Sequence, residues 1–436
     1  MASGSEGRRP QWPSAPPGSW WLAHRLARRA IAPVERFLQV EAASGILLLL
    51  AAALALVWAN SPWSSAYSAL WHTPVGVHFG DFAFERDLHF WINDGVMTIF
   101  FFVVGLEIRG EIHHGELSDA RRAALPLFAA LGGMLVPAAI FASFNAGHAS
   151  LRGWGVPMAT DIAFAVGVLT LLGSRVPATL RVLLLALAVI DDVGAILVIA
   201  LFYSSELQPL GFAVLGAGLG AILLQRAMGV TRPWLYVPAG ILSWAGAYAA
   251  GIHPTLAGVA IGLLTPVQPW PNPDGDGQSS PAQRIEHALH DWVAFGAMPL
   301  FAFANAGVSL GSAEFAGDSL LAFVGIFCGL VLGKPIGVVA ASWLATRLGI
   351  AVLPRGTSWK QIALVGVVAG IGFTMSIFIA GLAFGRGPTL ETGKIAILLG
   401  SFTAAVLTYG FGRAILPQRS SATRNEAVPE LLGNSE

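Results

Sequence analysis

The sequence predicts an all-α integral membrane protein of twelve transmembrane helices, two of which, the fourth and the eleventh, are broken and cross at mid-membrane. Three observations predict it: a composition that water cannot solvate, twelve apolar windows of membrane length, and a lopsided placement of basic residues. The chain is 55% hydrophobic and only 11% charged, with a mean hydropathy of +0.66, whereas a soluble domain carries about 25% charge. A hydrocarbon core about 30 Å thick takes roughly 20 mainly apolar residues at 1.5 Å rise per residue. That ruler fits residues 42–60, 89–107, 123–144, 155–173, 178–203, 210–225, 234–250, 252–267, 292–310, 320–345, 362–384 and 395–416.

Twelve spans put both termini on one side, and positive charge marks the cytoplasmic side. With the N-terminus there, 20 of the 25 basic residues are cytoplasmic; Arg86, Arg152, Arg386 and Lys394 fall outside, and Lys334 falls within a span. Removing one span would scramble that asymmetry. Residues 1–39 contain Pro10, Pro13, Pro16 and Pro17 but no compact apolar core with a cleavage site, so they read as a cytoplasmic, mostly disordered tail. Residues 40–417 form the membrane domain, and 418–436 form a second cytoplasmic tail. The 25 basic and 25 acidic residues balance, which gives no reason to expect nucleic acid or a polyanionic partner. The single cysteine, Cys328, excludes a disulfide framework and a Cys-based metal site.

Between the first two spans, Val77-His78-Phe79-Gly80-Asp81-Phe82-Ala83-Phe84 alternates around a Gly-Asp turn, the pattern of a small β-hairpin. Contact with a second subunit would use it; a plain loop is the alternative. Pro269 to Pro281 is rich in Pro, Gly, Asp and Ser and reads as a flexible linker between two halves of the bundle.

Ionisable side chains far from water are the informative residues, since each costs about 2.5 kcal/mol or more near mid-membrane. Asp191 and Asp192 lie inside the apolar run Val182–Ala200, and aspartate is too short to reach the interface. Adjacent helical residues sit about 100° apart, so one carboxylate should face a cation path and the other a neighbouring helix. Placing the pair at a loop edge would require splitting a clean apolar segment. Lys334 lies about 14 and 11 residues from the ends of its span, roughly 16 to 21 Å of helix, and a lysine arm covers about 6 Å. A buried ammonium needs a carboxylate partner, and the aspartate pair is the natural one; a fixed salt bridge without further role is the alternative.

The fourth span carries Pro157-Met158-Ala159-Thr160-Asp161-Ile162-Ala163-Phe164. Thr-Asp before an apolar run is a helix N-terminal signature, so a helix that stops and restarts is expected there. The eleventh span carries Gly370-Ile371-Gly372-Phe373-Thr374-Met375-Ser376-Ile377-Phe378, and Thr374 and Phe378 repeat the spacing of Thr160 and Phe164. Paired interruptions point to inverted-topology repeats whose half-helices meet at the midplane. Facing N-termini concentrate partial positive charge, which Asp161 can offset; facing C-termini do the opposite, which Lys334 can offset.

At these residues the sequence resembles the NhaA-type sodium/proton antiporters. The likeness covers essentially residues 37–416 and rests on seven motifs in order. They are Val104-Gly105-Leu106-Glu107, Ala159 to Phe164, Leu172-Gly173-Ser174-Arg175-Val176-Pro177, Ile190-Asp191-Asp192-Val193-Gly194-Ala195-Ile196, Pro299 to Val308, Gly333-Lys334-Pro335 and Gly370 to Phe378. The resemblance implies that Asp191 and Asp192 bind cation and proton, with Asp192 the direct sodium ligand. It further implies that Asp161 and Lys334 are the charges at the crossing, that Thr160 lines the cation site, and that Asp94 acts in transport. A pH-sensing cluster would fall on Glu107, Glu286, His287 and His290, and His253 would be linked to the pH response. Histidine suits such a role because it titrates near neutrality; without the resemblance, the histidines of this loop read as a solvated face.

The implied protein exchanges sodium, and also lithium, for protons, electrogenically and without a cofactor. It would sit in the cell inner membrane as a homodimer joined through the 77–84 hairpin. Two departures stand in the regulatory face: Arg109-Gly110-Glu111 where the family often has Lys-Arg-Glu, and Gln283 where a lysine is common. Two rival classes make different demands. An intramembrane aspartyl protease predicts a Gly-x-Gly-Asp signature, which no span contains, and gives Lys334 no role. A passive cation channel would dissipate a sodium gradient without moving protons.

Overall fold

The computed structural model describes residues 43–416 apart from 81, 116–118, 205, 231, 268–279 and 355. The expected tails, and all of the expected 269–281 linker but residues 280 and 281, lie outside the described residues. The chain opens with α1 (Ala43–Ala59), then turns through 117° into α2 (Ser64–Trp71). A two-stranded antiparallel hairpin follows, β1 (Pro74–Phe79) with β2 (Phe82–Asp87), paired from Pro74↔Asp87 to Phe79↔Phe82. It is longer than the alternation alone suggested. Gly80 has φ +58°, the left-handed conformation that a two-residue hairpin turn requires.

The rest is helical. α3 (Leu88–Phe90), a π turn (Trp91–Val96) and α4 (Met97–His114) run on from one another, and α5 (Ala120–Asn145) returns. A 3₁₀ segment (Ala149–Met158) precedes α6 (Ile162–Thr170), and α7 (Ala178–Phe202) and α8 (Pro209–Ala227) are long and unbroken. Two short helices follow, α9 (Val237–Ala249) and α10 (Thr255–Leu264). Next come α11 (Pro281–Trp292), a π turn (Val293–Ala297) and α12 (Met298–Asn305). α13 (Gly317–Cys328), a π turn (Gly329–Gly333) and α14 (Lys334–Arg347) form another continuous rod. α15 (Trp359–Ala369), α16 (Phe373–Phe384) and α17 (Pro388–Ile415) complete the bundle.

Among the described residues six helices are long and apolar enough to cross a membrane, and three bent pairs raise that to nine. Twelve is therefore an expectation that length and composition do not establish. The shortfall has a physical origin. The turn at Gly251 (φ +79°) and Pro254 cuts the seventh and eighth expected spans to helices of 13 and 10 residues. The ninth begins on the polar α11.

Two of the three π turns have a covalent cause. Pro299 and Pro335 each stand just after one; a proline supplies no N–H to the preceding turn, and one extra residue absorbs the mismatch. Close helix packing rests on glycine at one crossing in particular. α5 lies against α14, and a Cβ on Gly132 would sit 2.1 Å from the Gly337 carbonyl oxygen, while one on Gly337 would sit 2.0 Å from that of Gly132. The two backbones touch, which brings Lys334, one turn away, into the interior.

Candidate cation and proton site

Both expected breaks are present. The 3₁₀ segment and α6 meet at 45°, and α15 and α16 meet at 49°. They cross each other, because the Asp161 amide donates to the Ile371 carbonyl at 2.7 Å and the Ser376 hydroxyl donates to the Val156 carbonyl at 2.9 Å. Gly372 is compulsory at this crossing: an added Cβ would lie 2.1 Å from Ser376 Oγ and 2.9 Å from the Ala159 carbonyl oxygen. Gly370 is tight as well, its Cβ position falling 2.5 Å from the Leu330 carbonyl oxygen.

Asp161 caps two helices at once. Its Oδ1 accepts from the Phe164 amide at 3.0 Å, as the N-cap of α6, while Oδ2 accepts from the Thr374 amide at 3.0 Å and from the Thr374 hydroxyl. α16 has no cap of its own, since its N-cap position is Gly372, so a carboxylate from another span supplies it. The facing N-termini and their partial positive charges are thereby neutralised. Ser401 completes the arrangement by accepting from the Phe373 amide at 3.1 Å. Sequence patterning missed Ser401, which sits in an apolar helix with nothing to distinguish it from a packing serine.

Asp191 and Asp192 occur mid-way along α7, and both are buried. They diverge as helical geometry requires. Asp191 Oδ2 is ion-paired with Lys334 Nζ, both side chains being fully inaccessible. The Thr160 hydroxyl bridges them: Lys334 Nζ donates to it at 2.8 Å, and its single proton has Asp191 Oδ2 at 2.6 Å or the Ala369 carbonyl at 2.9 Å as acceptor. Lys334 thus reaches the C-terminal end of α15 only through Thr160, and its main counter-charge is Asp191. Burying a charge this deeply is tolerable only in such a pair.

Asp192 instead faces a cavity of about 390 Å³, whose wall also includes Thr160, Asp161, Glu107, Glu286 and His290. Its Oδ1, like that of Asp191, has no hydrogen-bond partner among the described residues. One cavity therefore joins Asp192 to the residues expected to sense pH, Glu107 on α4 and Glu286, His287 and His290 on α11. Burial is the main influence on Glu286 and raises its pKa above the usual carboxylate range, with the neighbouring His287 and His290 opposing.

Gln283 explains one departure from the family pattern. Ser280 and Gln283 form a reciprocal capping box, Ser280 Oγ accepting from the Gln283 amide at 3.2 Å and Gln283 Oε1 accepting from the Ser280 amide at 3.1 Å. A lysine ammonium cannot accept that bond. Gln283→Lys is expected to cost α11 about 0.5 to 1 kcal/mol and to speed amide hydrogen exchange in its first turn; unchanged exchange would show that the box carries no weight.

Asp94 lies elsewhere. It sits in the first π turn, does not line the cavity, and meets His253 with Oδ1 3.2 Å from Nε2. The other ring nitrogen of His253 is 2.8 Å from Thr255 Oγ1. Residues expected to act separately, one in transport and one in the pH response, are thus a single, partly buried pair.

A bundle of apolar helices with crossed broken segments, an inaccessible ion pair and a carboxylate at the inner end of a cavity has the make-up of a secondary transporter. The sequence profile described as Na+/H+ antiporter 1 matches residues 35–411, and the chain belongs to that family. It is 54% identical to the Na(+)/H(+) antiporter NhaA 2 of Sorangium cellulosum (strain So ce56), covering 92% of this chain and 94% of that one. It is 50% identical to the Na(+)/H(+) antiporter NhaA 2 of Myxococcus xanthus (strain DK1622), over 95% and 96%. It is 44% identical to the Na(+)/H(+) antiporter NhaA of Bartonella henselae (strain ATCC 49882 / DSM 28221 / CCUG 30454 / Houston 1), over 92% and 97%.

Proposed function

We infer that this chain is a multi-pass membrane transporter that exchanges sodium ions for protons, and that Asp192 is where the two compete. The observation that carries the reading is a buried carboxylate on a residue that lines the cavity, with an Oδ1 that has no hydrogen-bond partner among the described residues. Sodium favours oxygen ligands, and a carboxylate in a low-dielectric site must be compensated by a metal ion or a proton. One charge that accepts either partner, but not both together, is an exchanger. Thr160 can supply a second oxygen, and since the Lys334 ammonium bonded to it would repel a cation there, sodium binding that enlists Thr160 favours opening of the Asp191–Lys334 pair. A proton carried on that pair in addition to the one on Asp192 makes exchange electrogenic.

The same reading takes lithium as a second substrate and places regulation by pH at the cavity mouth, on Glu107, Glu286, His287 and His290, with His253 contributing from the Asp94 pair. It assigns twelve spans in two inverted repeats, with the cavity mouth and both termini on the cytoplasmic side of the inner membrane, which the basic-residue asymmetry supports. The hairpin, with Val75 and Val77 exposed, is assigned to contact between the two subunits of a homodimer. Reconstitution tests the exchange itself. An imposed sodium gradient is expected to drive proton movement, read by a pH-sensitive dye inside liposomes; sodium flux that leaves the dye unchanged when charge is compensated by another ion would identify a passive channel instead.

A further inference from the structure

The main-chain carbonyl of Asp94, in the first π turn, accepts from two side chains. The Trp244 indole donates to it from Nε1 at 2.8 Å, and the Thr98 hydroxyl donates as well. Trp244 belongs to α9, and the turn after that helix carries His253, the partner of the Asp94 carboxylate. Asp94 is therefore bonded to a side chain of the helix whose following turn carries its partner. On its other faces Trp244 is stacked between Trp91 (centroids 6.1 Å apart, 13° between planes) and Tyr248 (6.1 Å, 8°). Arg86 of β2 lies over the Tyr248 ring at 5.6 Å, and its Nε donates to the Tyr248 hydroxyl at 3.0 Å.

We propose that Trp244 is a positioning residue that holds Asp94 against His253, and that its ring stack ties this pair to the external hairpin. A π turn is a single-turn departure from the α-helical register, inserted within α-helices. An outside donor on its Asp94 carbonyl helps hold that register, and the register fixes where the carboxylate points. The inference rests on the reading of Asp94 as a transport residue.

Trp244→Phe keeps an aromatic ring in the stack and deletes the N–H, so packing and positioning separate. In proteoliposomes this variant is expected to raise the sodium concentration for half-maximal exchange about three- to tenfold, the worth of one lost hydrogen bond, with the maximal rate changed less than about twofold. On an Asp94→Asn background it is expected to produce no further shift. Wild-type half-saturation in Trp244→Phe, or a shift that simply adds to that of Asp94→Asn, overturns the proposal. Should Trp244→Phe not reach the membrane, Tyr248→Phe, which removes only the hydroxyl holding Arg86, decides it: a shift in the same direction supports the tie, and none overturns it. If Asp94→Asn itself exchanges like the wild type, the transport reading of Asp94 has failed, and that outcome is distinct from the others.

Discussion

Asp192→Asn is expected to abolish exchange while leaving the fold intact. The amide has the size of the carboxylate and makes no new demand on a side chain that already faces a cavity. On the proposed reading, what disappears is the charge that would hold sodium, or a proton in its place. An uncompensated ion in a low-dielectric site costs several kcal/mol even after relaxation, and each 1.4 kcal/mol is a factor of ten. The sodium-driven proton signal in everted vesicles should therefore fall at least about a hundredfold, with thermal stability in detergent unchanged. Exchange at the wild-type rate would remove Asp192 from the mechanism and with it the reading of the cavity.

Lys334→Ala has the largest expected effect on stability. The ammonium is fully buried and paired with Asp191, and the Thr160 hydroxyl bridges the two. Removing one partner strands a charged carboxylate, which costs about 3 to 5 kcal/mol. Thermal unfolding of the purified variant should shift down by several degrees, and Asp191→Asn in the same chain should recover most of the loss because it removes the stranded charge. If Lys334→Ala unfolds at the wild-type temperature, the pair is not held as ions in the resting protein, and the coupling of sodium binding to its opening loses its basis.

How much of this was legible in the sequence follows from how unusual each residue is where it stands. Asp191, Asp192 and Lys334 were visible because an apolar run has no other use for a charge, and helical geometry alone foretold that the two carboxylates would part. Asp161 was visible as half of a helix-start signal inside a span. Its second task, capping α16, was expected only as a general offset of charge, because the amide it serves is 213 residues away and no local pattern encodes that partner. The hairpin showed in its alternation, while its full extent depended on cross-strand pairing. Asp94 and His253 were each singled out, yet their meeting depends on how α9 and α10 pack beside the first π turn, and π turns leave little mark on hydropathy. Glycine and proline shorten a helix without lowering its apolar content, as at Gly251 and Pro254, and there a count by helix length registers fewer spans than hydropathy does.

The contact between Gly132 and Gly337 restricts what either position can hold. Main chains that touch leave no room for a side chain between them, so a larger residue at either glycine would force α5 and α14 apart. Lys334 sits on α14 and Asp191 on α7, so that wedge would shift the ammonium relative to its carboxylate.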